Sequence, residues 1–312
     1  MKVAALAGGV GAGKFLRGLV RAVRPEDVTV IVNTADDIAL HGLHVSPDLD
    51  SVTYWMAGLA ERQRGWGRAG ESWRAAEELR RLGAPGAWFS LGDLDLATHL
   101  FRTSLLDSGA TLSEATARIV ESFGVRTAVL PMTDDPVETR IEVVHSGTSV
   151  NLHFQEYWVE RRAADQVKAV RYRGAETAHP APGVLEALRT ADAIVLPPSN
   201  PVASIEPILA VPGIRDGLVE RRDRVAGVSG IVDGAPLAGM ADKLLPVAGV
   251  EVTAAGVAEL YRDHLAGWVI DRADARLARR IEDMGIRVAV TDTIMDSDRT
   301  AEDVARRTLS LL

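Results

Sequence analysis

The sequence predicts an α/β fold: a Rossmann-like, mostly parallel sheet with helices on both faces. Two observations predict it. Short β-rich apolar runs alternate along the chain with amphipathic helical patterns, as strands buried between two helical layers require. The first of those runs breaks into glycines immediately before a helix-like segment, the opening of a strand–turn–helix unit. At 312 residues and 47% hydrophobic content the chain can bury a full core, and no repeat, low-complexity tract or clear linker divides it. A single domain over residues 1–312 is expected.

The first strand is expected within Lys2–Ala7, and further buried strands at Val28–Asn33, Thr127–Leu130, Ala193–Leu196, Arg224–Val228 and Arg287–Val290. Segment 47–123 differs. Helical patterns dominate it, broken at Gly65–Gly70 and Gly83–Gly86, so it reads as a helical insertion. In segment 138–158 the period changes again: Ile141 and Val143 alternate, then Val150, Leu152 and Phe154, with His145-Ser146-Gly147-Thr148 between them. That is the pattern of a β-hairpin, whose second strand puts Asn151, His153 and Gln155 on the face opposite the apolar set.

The stretch Gly8-Gly9-Val10-Gly11-Ala12-Gly13-Lys14 reads as a phosphate-binding loop. Glycines let the backbone turn tightly and a phosphate approach its N–H groups, and the following helix start offers free donors and a positive dipole end. Gly8, four residues, Gly13 and Lys14 match most of the P-loop pattern, but Phe15 stands where a hydroxyl normally binds magnesium. The metal must be held elsewhere. The dinucleotide fingerprint is not met, because Lys14 occupies its third glycine position. A ligand-free turn is the competing reading.

After the second strand come Asn33-Thr34-Ala35-Asp36-Asp37, then His41, His44 and Ser46-Pro47-Asp48-Leu49-Asp50. The carboxyl ends of neighbouring parallel strands face one crevice, so this acidic cluster is expected beside the glycines. Magnesium takes one or two carboxylates plus waters and phosphate oxygens, which suits Asp37 and Asp50 bridging Mg2+ to a bound diphosphate. Turn and cap chemistry competes, with Asp48 capping the helix that follows. His41 and His44 lack the i, i+4 spacing of a helical zinc pair.

Three further stretches carry polar candidates. Within Leu91–Arg102, the residues Asp93, Thr98, His99 and Arg102 either face the crevice or cap and solvate a helix. Ser199 and Asn200, in the proline-rich turn after Leu196, offer one hydroxyl and one amide for reading a base or ribose, and Ser229 repeats the arrangement after a later strand. Trp66, Trp73, Trp88, Tyr157 and Trp158 are expected mostly in the core, with one or two stacking on a planar ligand.

The formal charge of −8 argues against a general nucleic-acid or anionic-membrane surface, so phosphate binding should be local. With no cysteine, disulfides, thiolate metal sites and a cysteine nucleophile are excluded. No basic leader or membrane-length apolar run is seen, and a cytoplasmic protein is expected.

Taken in order, Gly8–Lys14, Asn33–Asp37, Ser46–Asp50 with Thr53 and Tyr54, Gly92–His99, Pro131–Asp135, His153–Trp158 and Pro198–Pro201 resemble the motifs of the 2-phospho-L-lactate transferase family of coenzyme F420 biosynthesis. The resemblance spans nearly the whole chain. It implies a guanylyl-activated three-carbon acid as donor, lactyl or enolpyruvyl, the deazaflavin Fo as acceptor, GMP as leaving product, and a homodimer. The ribityl hydroxyl of Fo would attack phosphorus in line with departing GMP, with no protein nucleophile. The amides of Gly8, Gly9, Val10 and Gly11, together with Lys14 and a magnesium ion on Asp37 and Asp50, would neutralise charge, and Asp48 is the candidate for orienting the hydroxyl or accepting its proton. Two departures bear on this. Gly230 stands where relatives often have proline, and Asp36 occupies a position that varies among them, which favours Asp37 as ligand. Two rivals share the elements: a non-catalytic nucleotide-sugar binder of the gluconeogenesis-factor type and a metal-dependent phosphohydrolase.

Overall fold

In the computed structural model, which describes residues 1–312, seven strands form one sheet. In chain order they are β1 (Val3–Ala7), β2 (Val28–Val32), β3 (Ala128–Pro131), β4 (Ala193–Leu196), β5 (Val225–Val228), β6 (Gly267–Asp271) and β7 (Arg287–Thr291). Their spatial order is β3-β2-β1-β4-β5-β6-β7, and every neighbouring pair is parallel. The chain builds outward from β1 through β2 and β3, then crosses back to the other side of β1 for β4. The switch point therefore lies between β1 and β4, where a crevice opens beyond the carboxyl ends of the strands. The expected set of strands lacked β6, whose apolar run is only Trp268-Val269-Ile270 between a glycine and an aspartate.

Alternation along the strands divides the core into two layers. Val3, Ala5 and Ala7 of β1 enter one layer, Ala4 and Leu6 the other. On the first face lie helices α1 (Gly9–Ala22) and α2 (Pro47–Ala57), and the C-terminal helix Asp298–Leu309 packs along α1. That packing is close because of Gly18, where a Cβ would collide with the backbone of Ala301 and Glu302, and an Arg17–Asp298 ion pair at 2.7 Å pins it. The second face is covered by Val184–Thr190, Glu206–Ala210 and Ala254–Leu260, whose Val184, Leu188, Ile208 and Val257 share a core with Leu6. No helix is long and apolar enough to cross a membrane.

Segment 47–123 also holds α3 (Arg74–Arg81), α4 (Asp93–Asp107) and α5 (Leu112–Ser122). Its ends belong to the main layers: Leu49 and Val52 of α2, and Leu112 and Val120 of α5, share the core of Val3. The part between packs elsewhere. There α3 contacts α4, and α4 lies on a two-stranded hairpin, Ile38–Leu40 with Leu43–Val45. In the second hairpin, Glu138–His145 pairs antiparallel with Thr148–His153, turning at Ser146 and Gly147, both at positive φ. Gln166–Arg173 adds a third strand on its other edge. After His153 the chain coils into a short π-helical turn, Glu156–Glu160, which leaves Phe154 and Gln155 directed at the crevice.

Candidate active site

Helix α1 begins at Gly9, so the phosphate-binding loop expected through Lys14 is only a tight Gly8–Gly9 turn, and Gly11, Gly13 and Lys14 lie within the helix. The glycines serve close approach. Gly9 has φ +73, a side chain on Gly8 would collide with the Asp48 carboxylate, one on Gly11 with the Pro198 carbonyl oxygen, and one on Gly13 would sit 2.6 Å from Trp55 Cδ1. The Gly8 N–H donates to Ser199 Oγ at 3.2 Å, which ties the turn after β1 to the turn after β4. The helix N-terminus thus opens at the switch point with its positive dipole end toward the crevice, where Gly9, Val10 and Gly11 line the wall. Lys14 lines the same crevice and lies 5.7 Å from the centroid of the Trp55 ring.

Asn33, the residue after β2, organises the acids. Its Nδ2 donates to Asp36 and, at 3.0 Å, to Asp48 Oδ2, while its Oδ1 accepts the Ala35 N–H at 2.9 Å. Gln155 Nε2 reaches the other oxygen of Asp36 at 3.5 Å. Asp36 and Asp48 are both buried and both line the cavity beside Gly8 and Gly9. Burial first, then the charges of Asp48 and Asp37, hold the Asp36 carboxyl well above the usual carboxylate range. Burial likewise pushes Asp48 up to about 7, against hydrogen bonds from Asn33 and the Gly9 N–H and with added repulsion from Asp37. No basic side chain pairs with either acid. Two buried carboxylates without a counter-cation are the arrangement a divalent ion relieves.

Asp37 and Asp50, the expected metal pair, are placed differently. Asp37 does not line the cavity, and its Oδ2 accepts from Ser46 Oγ at 2.7 Å and meets His44 Nε2 at 2.9 Å. Its Oδ1 is buried without a partner, and burial raises its pKa. Asp50 lines the cavity, but both of its oxygens are taken by Arg102, through Nη1 at 3.1 Å and through Nη2. The buried acids that line the cavity without a basic partner are therefore Asp36 and Asp48.

Helix α4 brings a second set to the cavity wall. Tyr54 OH donates to Asp95 Oδ1 at 2.7 Å, and His99 sits between two carboxylates, its Nε2 3.5 Å from Asp95 Oδ1 and its Nδ1 3.5 Å from Asp50 Oδ2. Ligand atoms of Asp50, Asp95 and His99 all lie within 4.8 Å of one another. Burial alone would raise the pKa of Asp95, but His99, Tyr54 and Arg102 together hold it below the usual value.

Several expected contact residues act from behind the wall. Asp93 accepts the backbone N–H groups of Arg74 and Ala75 at 3.3 and 3.1 Å, so it caps α3 and does not line the cavity. Arg102 holds Asp50, Thr98 is buried beside Tyr54, and Asn33 and Thr34 are buried beneath Asp36; none of these lines the cavity. Ser229 is also off the wall. Its Oγ donates to the Ile231 carbonyl at 2.8 Å and accepts the Ile231 N–H at 3.1 Å, shaping a turn that presents Gly230 and Ile231 instead. Ser199, Asn200, Val10 and His99 do line the cavity, although Asn200 Oδ1 is occupied by the N–H groups of Val202 and Ala203.

The cavity encloses about 880 Å³, in the range of sites that hold sizeable organic ligands. Trp66, Trp88, Phe154 and Trp158 line it, with Trp66 and Trp158 exposed by 43% and 38%, whereas Tyr157 is fully buried. A large pocket with a helix N-terminus, two uncompensated acids and an aromatic rim is suited to a diphosphate-containing nucleotide beside a planar partner.

Residues 3–307 match the family model of 2-phospho-L-lactate transferase CofD. The chain belongs to the 2-phospho-L-lactate transferase family. Among curated members, the phosphoenolpyruvate transferase of Streptomyces griseus is 49% identical, covering 100% of this chain and 98% of that protein. That of Nocardia farcinica is 42% identical over 99% and 94% of the two chains, and the 2-phospho-L-lactate transferase of Methanosarcina mazei is 38% identical over 96% of each. A solved UPF0052-family protein of Bacillus halodurans shares the fold at a TM-score of 0.64 and 18% identity, covering 99% of this chain and 98% of that one. Asp95, Gln155 and Phe154 were not singled out from the sequence as site residues of this transferase-family chain, and Asp36 was ranked below Asp37; the strand ends at His153, so Phe154 and Gln155 do not alternate between faces as expected and both line the cavity.

Proposed function

We propose that the protein transfers a phosphoenolpyruvyl group from a guanosine diphosphate-linked donor to the ribityl hydroxyl of Fo, releasing GMP. The observation that carries this reading is that the Asp36–Asp48 pair and the Gly8–Gly9 turn, against which Asp48 packs, line one cavity. The relatives that are 42–49% identical and named phosphoenolpyruvate transferases favour the enolpyruvyl over the 2-phospholactyl donor, the 2-phospho-L-lactate transferase of Methanosarcina mazei being 38% identical.

The chemistry asked of the chain is mainly positioning and charge neutralisation, since phosphoryl transfer needs no protein nucleophile. The amides at the start of α1 and the Lys14 ammonium bind the donor diphosphate. Asp36 and Asp48 would hold Mg2+, and their buried, uncompensated carboxyls fit that role. Bound there, Mg2+ supplies neutralisation of phosphate charge. Asn33 and Gln155 orient the two acids. The aromatic rim of Trp66, Trp88 and Trp158 offers faces for the planar acceptor. Incubation with Fo, magnesium and each guanylyl donor, followed by mass spectrometry, tests the reading. A phosphodiester of Fo with GMP is expected; GMP without Fo adduct marks a hydrolase, and nucleotide binding without turnover marks a regulator.

A further inference from the structure

Resting on the transfer reaction above, we propose that Asp95 is the catalytic base that takes the proton from the attacking hydroxyl of the acceptor, with Tyr54 and His99 as its positioning residues.

Five carboxylates line the cavity: Asp36, Asp48, Asp50, Asp95 and Asp296. Four are committed elsewhere. Asp36 and Asp48 are bridged by Asn33 at the glycine turn, where the diphosphate charge must be met. Both Asp50 oxygens are on Arg102. Asp296 is exposed and accepts from Thr300 Oγ1 at 3.0 Å at the start of the C-terminal helix. Asp95 is the recessed wall carboxylate that is neither bridged to a second acid nor paired with a guanidinium, and it keeps an oxygen without a protein donor. Its Oδ1 takes Tyr54 OH at 2.7 Å and faces His99 Nε2 at 3.5 Å, and no protein donor reaches Oδ2. Its side chain is recessed, 13% exposed, and lines the cavity.

The support is built from one end to the other. The Tyr54 hydroxyl fixes the carboxylate plane from α2, and His99, 1% exposed, is fixed in turn by Arg102 Nη1, which donates to its Nδ1 at 3.3 Å. The buried His99 Nε2 has no other partner and faces Asp95 Oδ1 at 3.5 Å. Backbone placement is fixed as well, because Glu71 accepts the N–H groups of Leu94 and Asp95, both at 2.8 Å. Such a carboxylate is oriented at its inner oxygen and presents the outer one to a hydroxyl, the geometry a general base requires.

In the transfer step the acceptor O–H bond breaks and its proton passes to Asp95 Oδ2 as the oxygen forms a bond to phosphorus. The phosphorus–oxygen bond to the departing nucleoside monophosphate breaks, and its electron pair leaves with that group. Asp95 then releases the proton to solvent.

The test uses the full-length protein with Asp95→Asn, Asp95→Gly and Tyr54→Phe. Asp95→Asn should lower kcat by about 10² to 10⁴-fold, with donor KM and GMP affinity within about twofold of wild type. Formate should restore part of the activity of Asp95→Gly, which a merely structural residue would not show. Tyr54→Phe should lower kcat less and leave donor KM unchanged. Unchanged kcat in folded Asp95→Asn, or no formate rescue of a folded Asp95→Gly that binds GMP, overturns the assignment. Failure of the wild-type protein to transfer to Fo at all would instead bring down the reaction on which it rests.

Discussion

Gly11 and Pro198 meet backbone to backbone across the switch point, so close that a single methyl on Gly11 would collide with the Pro198 carbonyl oxygen. The contact locks the turn after β1 against the turn after β4, and the Gly8 N–H to Ser199 bond seals the same junction. Gly11→Ala should therefore force a backbone shift, costing about 1–3 kcal/mol of stability and lowering kcat/KM together. Gly217→Ala is the control. Its Cβ would meet Leu188 Cδ1 at an ordinary 3.6 Å, so stability should hold or rise by up to about 1 kcal/mol. Thermal unfolding of the two variants side by side checks both.

The acids at the turn predict a pH-dependent trade between stability and function. In the folded state Asp48 holds its proton up to about 7, against an ordinary aspartate value of 3.8, so the folded chain binds more protons than the unfolded one between those values. The contribution of Asp48 to stability accordingly falls as pH rises through that window. Asp48→Asn cannot ionise and keeps a polar partner for Asn33. It should be more stable than wild type at pH 8 by a larger margin than at pH 5, while losing magnesium-dependent activity. Denaturant midpoints at the two pH values decide it; an equal margin at both would contradict the buried-acid account.

Arg102 and Asp50 form a buried ion pair in which the guanidinium fork takes both carboxylate oxygens. Removing one partner leaves the other charged and unpaired. Arg102→Met should destabilise by about 3–5 kcal/mol, and Arg102→Met with Asp50→Leu should recover much of that loss. Additive losses in the double variant would show that the pair is not coupled.

Asp93 is predicted to matter for the fold of α3 and not for chemistry. Its carboxylate caps the helix through Arg74 and Ala75, so Asp93→Ala should lower the unfolding temperature and leave kcat within about twofold. A large kcat loss in folded Asp93→Ala would return that residue to the substrate.

What the sequence made legible, and what it hid, divides on physical lines. Strands buried on both faces need near-continuous apolar runs, and β1, β2, β4 and β5 carry them, Thr29 being the one polar residue; β6 escaped because Gly267 and Asp271 bracket a run too short to stand out. The strand Gln166–Arg173 was hidden by its alternating exposed Lys168, Arg171 and Arg173. At the site, the glycines and acids were visible as types, but their orientation was not. Past Asn33 the two-residue alternation of the strand ends, so nothing local says that Asp36 turns inward and Asp37 toward His44. Gly11 and Gly13 looked like loop residues because a glycine needed for close helix packing has the same letter as one needed for a turn. Asp93 and Asp95, two residues apart at a helix start, part company only through tertiary neighbours, Arg74 for one and Tyr54 for the other.

The central claim is that Asp36 and Asp48 hold a divalent cation against a diphosphate bound at the Gly8–Gly9 turn. Calorimetric titration of magnesium into wild type, Asp36→Asn and Asp37→Asn, each with saturating GDP, tests it most directly. The account predicts a magnesium-binding heat in wild type and Asp37→Asn that is lost in Asp36→Asn. Retention in Asp36→Asn with loss in Asp37→Asn would contradict it.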